Sequence, residues 1–303
     1  VHQDNPFLTI QFRTLILWVI LSILALSAIA IALSIFWGIV SLFGNPDNPS
    51  FNPTQPDPIV PLVFLNVGFY GLIVLWCLEQ KQQSHLNFQR VWGKLPQNRK
   101  WLRLLLLVFP ILLFSLGSGQ IFLSLFMPIL PDAMKSSLES PLFLSQEETS
   151  VPLLYNLLVL IFVIGVAPIV EEVLFRGILC QRWATTWGLS AGIIVSSLVF
   201  GILHPVNPIG LFIFGLMMAI LYVKTRTLTI PILVHALNNA IAIVLTSLSV
   251  SPETTNATTT VEQFFSAEWM GLICVAVSIP WLLIYAYQNW PTKSTSLPYW
   301  ANK

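Results

Sequence analysis

Apolar runs separated by short polar connections dominate the chain. Eight stand out: Leu15–Phe43, Ile59–Leu78, Leu104–Leu130, Leu153–Trp183, Leu189–His204, Ile209–Val223, Leu228–Leu248 and Trp269–Tyr287. About 20 mostly apolar residues carry a helix across the hydrocarbon core of a bilayer, so these runs predict transmembrane helices. The fifth and sixth are short and read as possible partial spans, since irregular backbone at membrane depth is tolerated where protein or a cavity shelters it. The predicted fold class is all-α, a polytopic integral membrane protein of about eight transmembrane helices. No internal repeat is evident, and the first three runs carry no Asp, Glu, His, Lys or Arg in their interiors. They read as scaffold or lateral wall.

Polar connections set the expected orientation. The 79–103 segment holds Lys81, Arg90, Lys94, Arg99, Lys100 and Arg103 against one acid, Glu79, and the turn near 224–226 holds Lys224 and Arg226. Excess Lys and Arg marks cytoplasmic loops. The opposite connections, 44–58, the stretch with Asp132, Glu139, Glu147 and Glu148, and 251–263, are Pro-rich or acidic. Alternation then predicts both termini on the cytoplasmic side, in a bacterial cytoplasmic or other internal membrane. The 44–58 stretch reads as a flexible external connection. The triplet at Asn256 carries no weight as a glycosylation sequon.

Composition narrows the class further. Hydrophobic residues make up 55% of the 303 and charged residues 9%, against roughly 25% charged in a soluble globule; mean hydropathy is +0.78. A net charge of +1 without a basic block argues against nucleic acid. No phosphate-cradling glycine motif is present, which argues against a nucleotide. Cys77, Cys180 and Cys274 lie in or beside apolar segments without C-x-x-C spacing and read as small hydrophobes rather than a disulfide framework or thiolate site. The polar start of the chain lacks a small-residue cleavage site, so no signal peptide is expected there.

Against this background "GVAPIVEEVLFRGILC" (165–180) places Glu171, Glu172 and Arg176 inside an apolar run. A charge at mid-span costs about 3 kcal/mol on insertion scales and is by default a functional signal. Glu172 and Arg176, at i and i+4 with the acid first, share a helical face and predict an ion pair. Glu171 is turned about 100° away and stays free of that pair. Pro168 removes a helical hydrogen bond, expected at the carbonyl of residue 164, and predicts a kink. Two further polar groups follow: "FGILHP" carries His204 at an expected helix end, and "PILVHALNNA" carries His235 and Asn239 on one face. With a hairpin at Thr185–Gly188, Glu171 and His204 fall at equal distance from the turn. A polar cavity in the C-terminal half is therefore expected. The plainer reading is that His235 with Asn239 is interhelical hydrogen-bonding glue and that Glu172–Arg176 is structural.

Two chemistries fit these residue types. Glu171 beside His204 can deprotonate a water that attacks a peptide carbonyl, with His235 and Asn239 donating to the oxyanion. Alternatively His204, His235 and Glu171 can bind Zn²⁺, whose bound water is the nucleophile. Since H-E-x-x-H is absent, such a site would be assembled from separate helices. No serine or cysteine stands in a nucleophile-elbow setting.

"EEVLFRG", "FGILH" and "HALNN", in that order over about Val151 to Ser247, resemble the EExxxR, FxxxH and HxxxN motifs of the CPBP (Abi) intramembrane protease family. That family includes the type II CAAX prenyl endopeptidases and bacteriocin-processing proteins. The resemblance implies an eight-helix core, water activation by Glu171 with His204, an oxyanion site at His235 and Asn239, and motif roles for Glu172 and Arg176. It implies a membrane-associated protein or peptide substrate and leaves zinc and metal-free mechanisms both open. The expected organisation is 1–150 as N-terminal spans with possible substrate selection, 151–248 as the catalytic core, and 249–303 as external loop, last span and tail. The competing class is a non-enzymatic immunity or assembly factor. A proton-relaying transporter is a third, disfavoured by the lack of inverted repeats.

Overall fold

The computed structural model of the protein describes residues 5–43, 57–249 and 268–302. The connections at 44–56 and 251–263, with Asn256, lie outside the described residues. Among those described there is no strand, and eight long helices form the fold: α1 (Phe12–Phe43), α2 (Ile59–Gln83), α3 (Val108–Phe126), α4 (Pro152–Trp187), α5 (Leu189–Ile202), α6 (Pro208–Thr225), α7 (Thr229–Ser249) and α8 (Glu268–Asn289). Seven are long and apolar enough to cross a membrane; α5, with 14 residues, is shorter. At 1.5 Å per residue α5 extends about 21 Å, less than the roughly 30 Å hydrocarbon core.

Helix boundaries follow from local chemistry. Asn87 accepts from the backbone N–H groups of Gln89 and Arg90 and so caps the short helix Phe88–Trp92. Asn98 caps the 3-10 turn Arg99–Leu107 that leads into α3. Asn207 opens α6, with Pro208 at its first position, the place where a missing N–H costs nothing. Helix α4 continues to Trp187, and the turn to α5 is the single residue Gly188 at φ 87, a conformation that favours glycine. The two helices then run in close contact at Gly192, where an added Cβ would stand 2.5 Å from the Cys180 carbonyl.

Packing places α6 at the centre. Its residues Met217 to Tyr222 are almost completely buried, surrounded by α3, α5, α7 and α8. Helix α2 pairs with α1 and lies against α4. Leu21 and Leu24 of α1, Leu65 and Val67 of α2, and Leu272 and Leu283 of α8 face outward, the arrangement a lipid surround requires. At one end of the bundle Gln181 ties four segments together. Its amide donates to Gly177 O and Tyr222 Oη, its carbonyl oxygen accepts from Tyr299 N, and the Tyr222 hydroxyl donates to Val91 O. None of the three cysteines is in a disulfide, and Cys77 and Cys180 are buried.

Candidate active site

Helix α4 changes pitch on both sides of its acidic pair. Residues Ile161–Val166 and Val173–Cys180 are π-helical, and the α-helical turn Ala167–Glu172 between them carries both glutamates. Such wide turns cost hydrogen-bond geometry and concentrate at functional sites. Pro168 accounts for part of this. The Ala167 N–H reaches the Phe162 carbonyl five residues back, and in that register the carbonyl opposite Pro168 is Val163, not the residue 164 expected from regular α-helical spacing. Val163 O accepts from Asn239 Nδ2 at 2.9 Å. A side chain of α7 thus satisfies the acceptor that proline leaves without a main-chain donor.

The acidic pair brackets one imidazole. Glu172 Oε1 takes Arg176 Nη1 at 2.8 Å and His235 Nδ1 at 2.9 Å, while Glu171 Oε2 lies 3.9 Å from His235 Nε2. Because a carboxylate only accepts, Nδ1 carries a hydrogen and the ring orientation is set by Glu172. Arg176 completes its own coordination on the Gly215 carbonyl at 3.1 Å and lies over the Phe200 ring, 4.7 Å from its centroid. Glu172 is fully buried, Arg176 is 1% exposed, and the side chain of Glu171 is 15% exposed. One carboxylate is enclosed in an ion-paired network; its neighbour stays partly exposed. Glu172 Oε2 is buried with no partner among the described residues, an unusual cost in a native core.

His204 stands apart from this network. It stands at the start of the loop after α5, with its Nδ1 2.7 Å from Phe200 O and its ring tilted over the Phe200 ring at 4.5 Å. No hydrogen bond or ion pair joins it to Glu171 among the described residues; the Phe200 ring that it overlies is itself 6.2 Å from the His235 ring. The loop itself is held by Asn207, whose amide donates to the Ser115 carbonyl and hydroxyl of α3. Asn239 is partly exposed beside His235, and its Oδ1 accepts from Asn238 Nδ2 at 3.4 Å.

Two participants escaped the sequence reading. Tyr70 of α2 donates to Glu171 Oε1 at 3.2 Å, and Phe214 of α6 packs edge-on to His235 at 4.7 Å. Both are aromatic residues in apolar helices, with no spacing that marks them. As for metal, no three His, Cys, Asp or Glu side chains gather as ligands among the described residues. The 3.9 Å between His235 Nε2 and Glu171 Oε2 is wide for two ligands of one tetrahedral zinc at about 2.0–2.2 Å each. The donors as arranged do not fit that ion.

In comparison with known proteins, neither a curated protein nor a solved structure matches the chain. Residues 153–241 do match a protein family, described as type II CAAX prenyl endopeptidase Rce1-like. This segment holds both glutamates, Arg176, both histidines and Asn239. The protein is therefore an integral membrane protein, and residues 153–241 in its second half are similar to the type II CAAX prenyl endopeptidase, Rce1-like family.

Proposed function

We propose that the protein is an intramembrane endopeptidase in which Glu171 activates the attacking water. The observation that carries this reading is the division of labour between adjacent carboxylates: Glu172 is enclosed by Arg176 and His235, whereas Glu171 is partly exposed and its Oε2 lies 3.9 Å from His235 Nε2, outside that ion-paired network. Glu171 takes a proton from water, the resulting hydroxide attacks the peptide carbonyl carbon, and the C–N bond breaks as Glu171 returns the proton to the departing nitrogen. His204, on the facing helix end, supports the water with Nε2, its Nδ1 being turned to Phe200 O.

His235 and Asn239 form the oxyanion side. One Asn239 N–H is committed to Val163, which leaves the second for substrate. His235 Nε2 donates only when both ring nitrogens carry hydrogen, and Glu172 keeps Nδ1 protonated in either case. Donors of this kind contribute about 3 kcal/mol each to the transition state. We take 151–248 as the catalytic core and 1–150 as scaffold with a part in substrate selection. The basic 79–103 loop is taken as cytoplasmic, with both termini on that side. Substrates on this reading are membrane-associated or lipidated proteins and peptides that reach the site from the surrounding lipid.

The test compares new protein termini, by mass spectrometry, in cells carrying wild-type protein or Glu171→Gln at matched abundance. Termini present only with wild type support proteolysis and map the cut site. Identical termini in both, with function retained, would return the cluster to a structural role.

A further inference from the structure

Helix α2 lies outside the 153–241 segment and carries no charged side chain before Glu79, yet it contributes a direct contact to the most exposed of the site's carboxylates. The Tyr70 hydroxyl donates to Glu171 Oε1, while Glu171 Oε2 is the oxygen turned toward His235 Nε2. We propose that Tyr70 is a positioning residue for the reaction: it fixes one carboxylate oxygen so that the other is presented to the water. The inference rests on Glu171 being the base.

Physical chemistry supports the assignment on three counts. A glutamate side chain has three rotatable bonds, and a base aligned by a second group loses less on reaching its productive geometry. Glu172 gains that alignment from Arg176 and His235; among the described residues Tyr70 is the hydrogen-bond donor that gives it to Glu171. The phenol and the His235 ring also meet different oxygens of the carboxylate, Oε1 from α2 and Oε2 from α7. At 3.2 Å the bond is longer than the 2.5–2.7 Å typical of a hydroxyl on a carboxylate. Catalytic contacts are commonly long before substrate tightens them. A purely structural Tyr70 would instead act as interhelical glue between α2 and α4, and its loss would be felt in stability.

The experiment uses the full chain in detergent micelles and a synthetic peptide spanning the cut site mapped by the wild-type and Glu171→Gln comparison. Tyr70→Phe, which removes only the hydroxyl, should lower kcat about tenfold, the size expected for a hydrogen bond to a charged group. KM and melting temperature should stay close to wild type. An unchanged kcat overturns the proposal, and so does a fall in melting temperature that accounts for the lost activity. Should Tyr70→Phe fail to accumulate, 3-fluorotyrosine at position 70 keeps the ring and changes the acidity of the hydroxyl; kcat must then shift with KM constant, or the proposal fails. If Glu171→Gln cleaves as wild type does, the base assignment itself falls, an outcome distinct from a silent Tyr70→Phe.

Discussion

Replacing Arg176 by alanine separates two accounts of the buried charge network. The change removes the 2.8 Å bond to Glu172, the 3.1 Å bond to Gly215 O and the guanidinium face on Phe200. If those two bonds counted only as side-chain hydrogen bonds in a membrane protein, at about 0.6 kcal/mol each, the loss would be near 1 kcal/mol. Glu172, however, is fully buried, with Oε2 already unpartnered among the described residues, so its charge is left with His235 alone. Breaking a buried pair by deleting one partner costs about 3–5 kcal/mol, and this larger effect should govern. At roughly 2 °C per kcal/mol for a chain of this size, Arg176→Ala should melt about 6–10 °C below wild type in micelles. Adding Glu172→Gln removes the stranded charge and should restore about 2 kcal/mol or more. A loss near 1 kcal/mol, or a double mutant worse than Arg176→Ala by the full cost of Glu172→Gln, would refute the argument.

Other perturbations address the remaining contacts. Asn239→Leu strands the Val163 carbonyl and should cost about 1–3 kcal/mol by thermal unfolding, a penalty that should shrink in a Pro168→Ala background where a main-chain donor returns. At the other end of the bundle, Asp57 joins the start of α2 to the residues before α4. Burial pushes its carboxyl up, but the N–H groups of Ile59 and Ser150 and the hydroxyls of Thr149 and Ser150 outweigh this and hold it at about 2, against 3.8 ordinarily. A value lowered on folding stabilises above the unfolded value and is lost as pH falls through the folded one. Asp57→Asn should therefore melt below wild type near neutrality, with the gap narrowing from about pH 4 downward; a gap constant to about pH 3 would contradict it. Since no three ligands gather among the described residues, protein purified and assayed in chelator should retain full cleavage. Stoichiometric zinc by elemental analysis, with activity lost on its removal, would reverse that expectation.

Much of the site was legible because helical spacing is a local property. Glu172 and Arg176 sit four apart on α4 with the acid first, and the structure has them paired; the run of apolar residues around them announced that any charge there needs a partner. Which histidine meets the acids was not legible. Equal distance from the α4–α5 turn suggested His204 for Glu171, but contact depends on azimuth as well as depth. The two π turns shift the azimuth of everything between them, and the imidazole that falls between the two carboxylates is His235 of α7. The same pitch change moved the carbonyl opposite Pro168 from residue 164 to Val163, and so gave Asn239 an intramolecular partner.

By itself, the sequence determined that the chain lies in a membrane, approximately where each helix runs, and that its rare charges gather in the second half. These follow from composition and from periodicities of a few residues, which act within one element. Only the tertiary structure decided that Tyr70 of α2 reaches Glu171 and which nitrogen of His235 each carboxylate meets. Those outcomes depend on how helices far apart in sequence rotate against one another. Close packing around α6 sets that rotation through contacts no single segment contains.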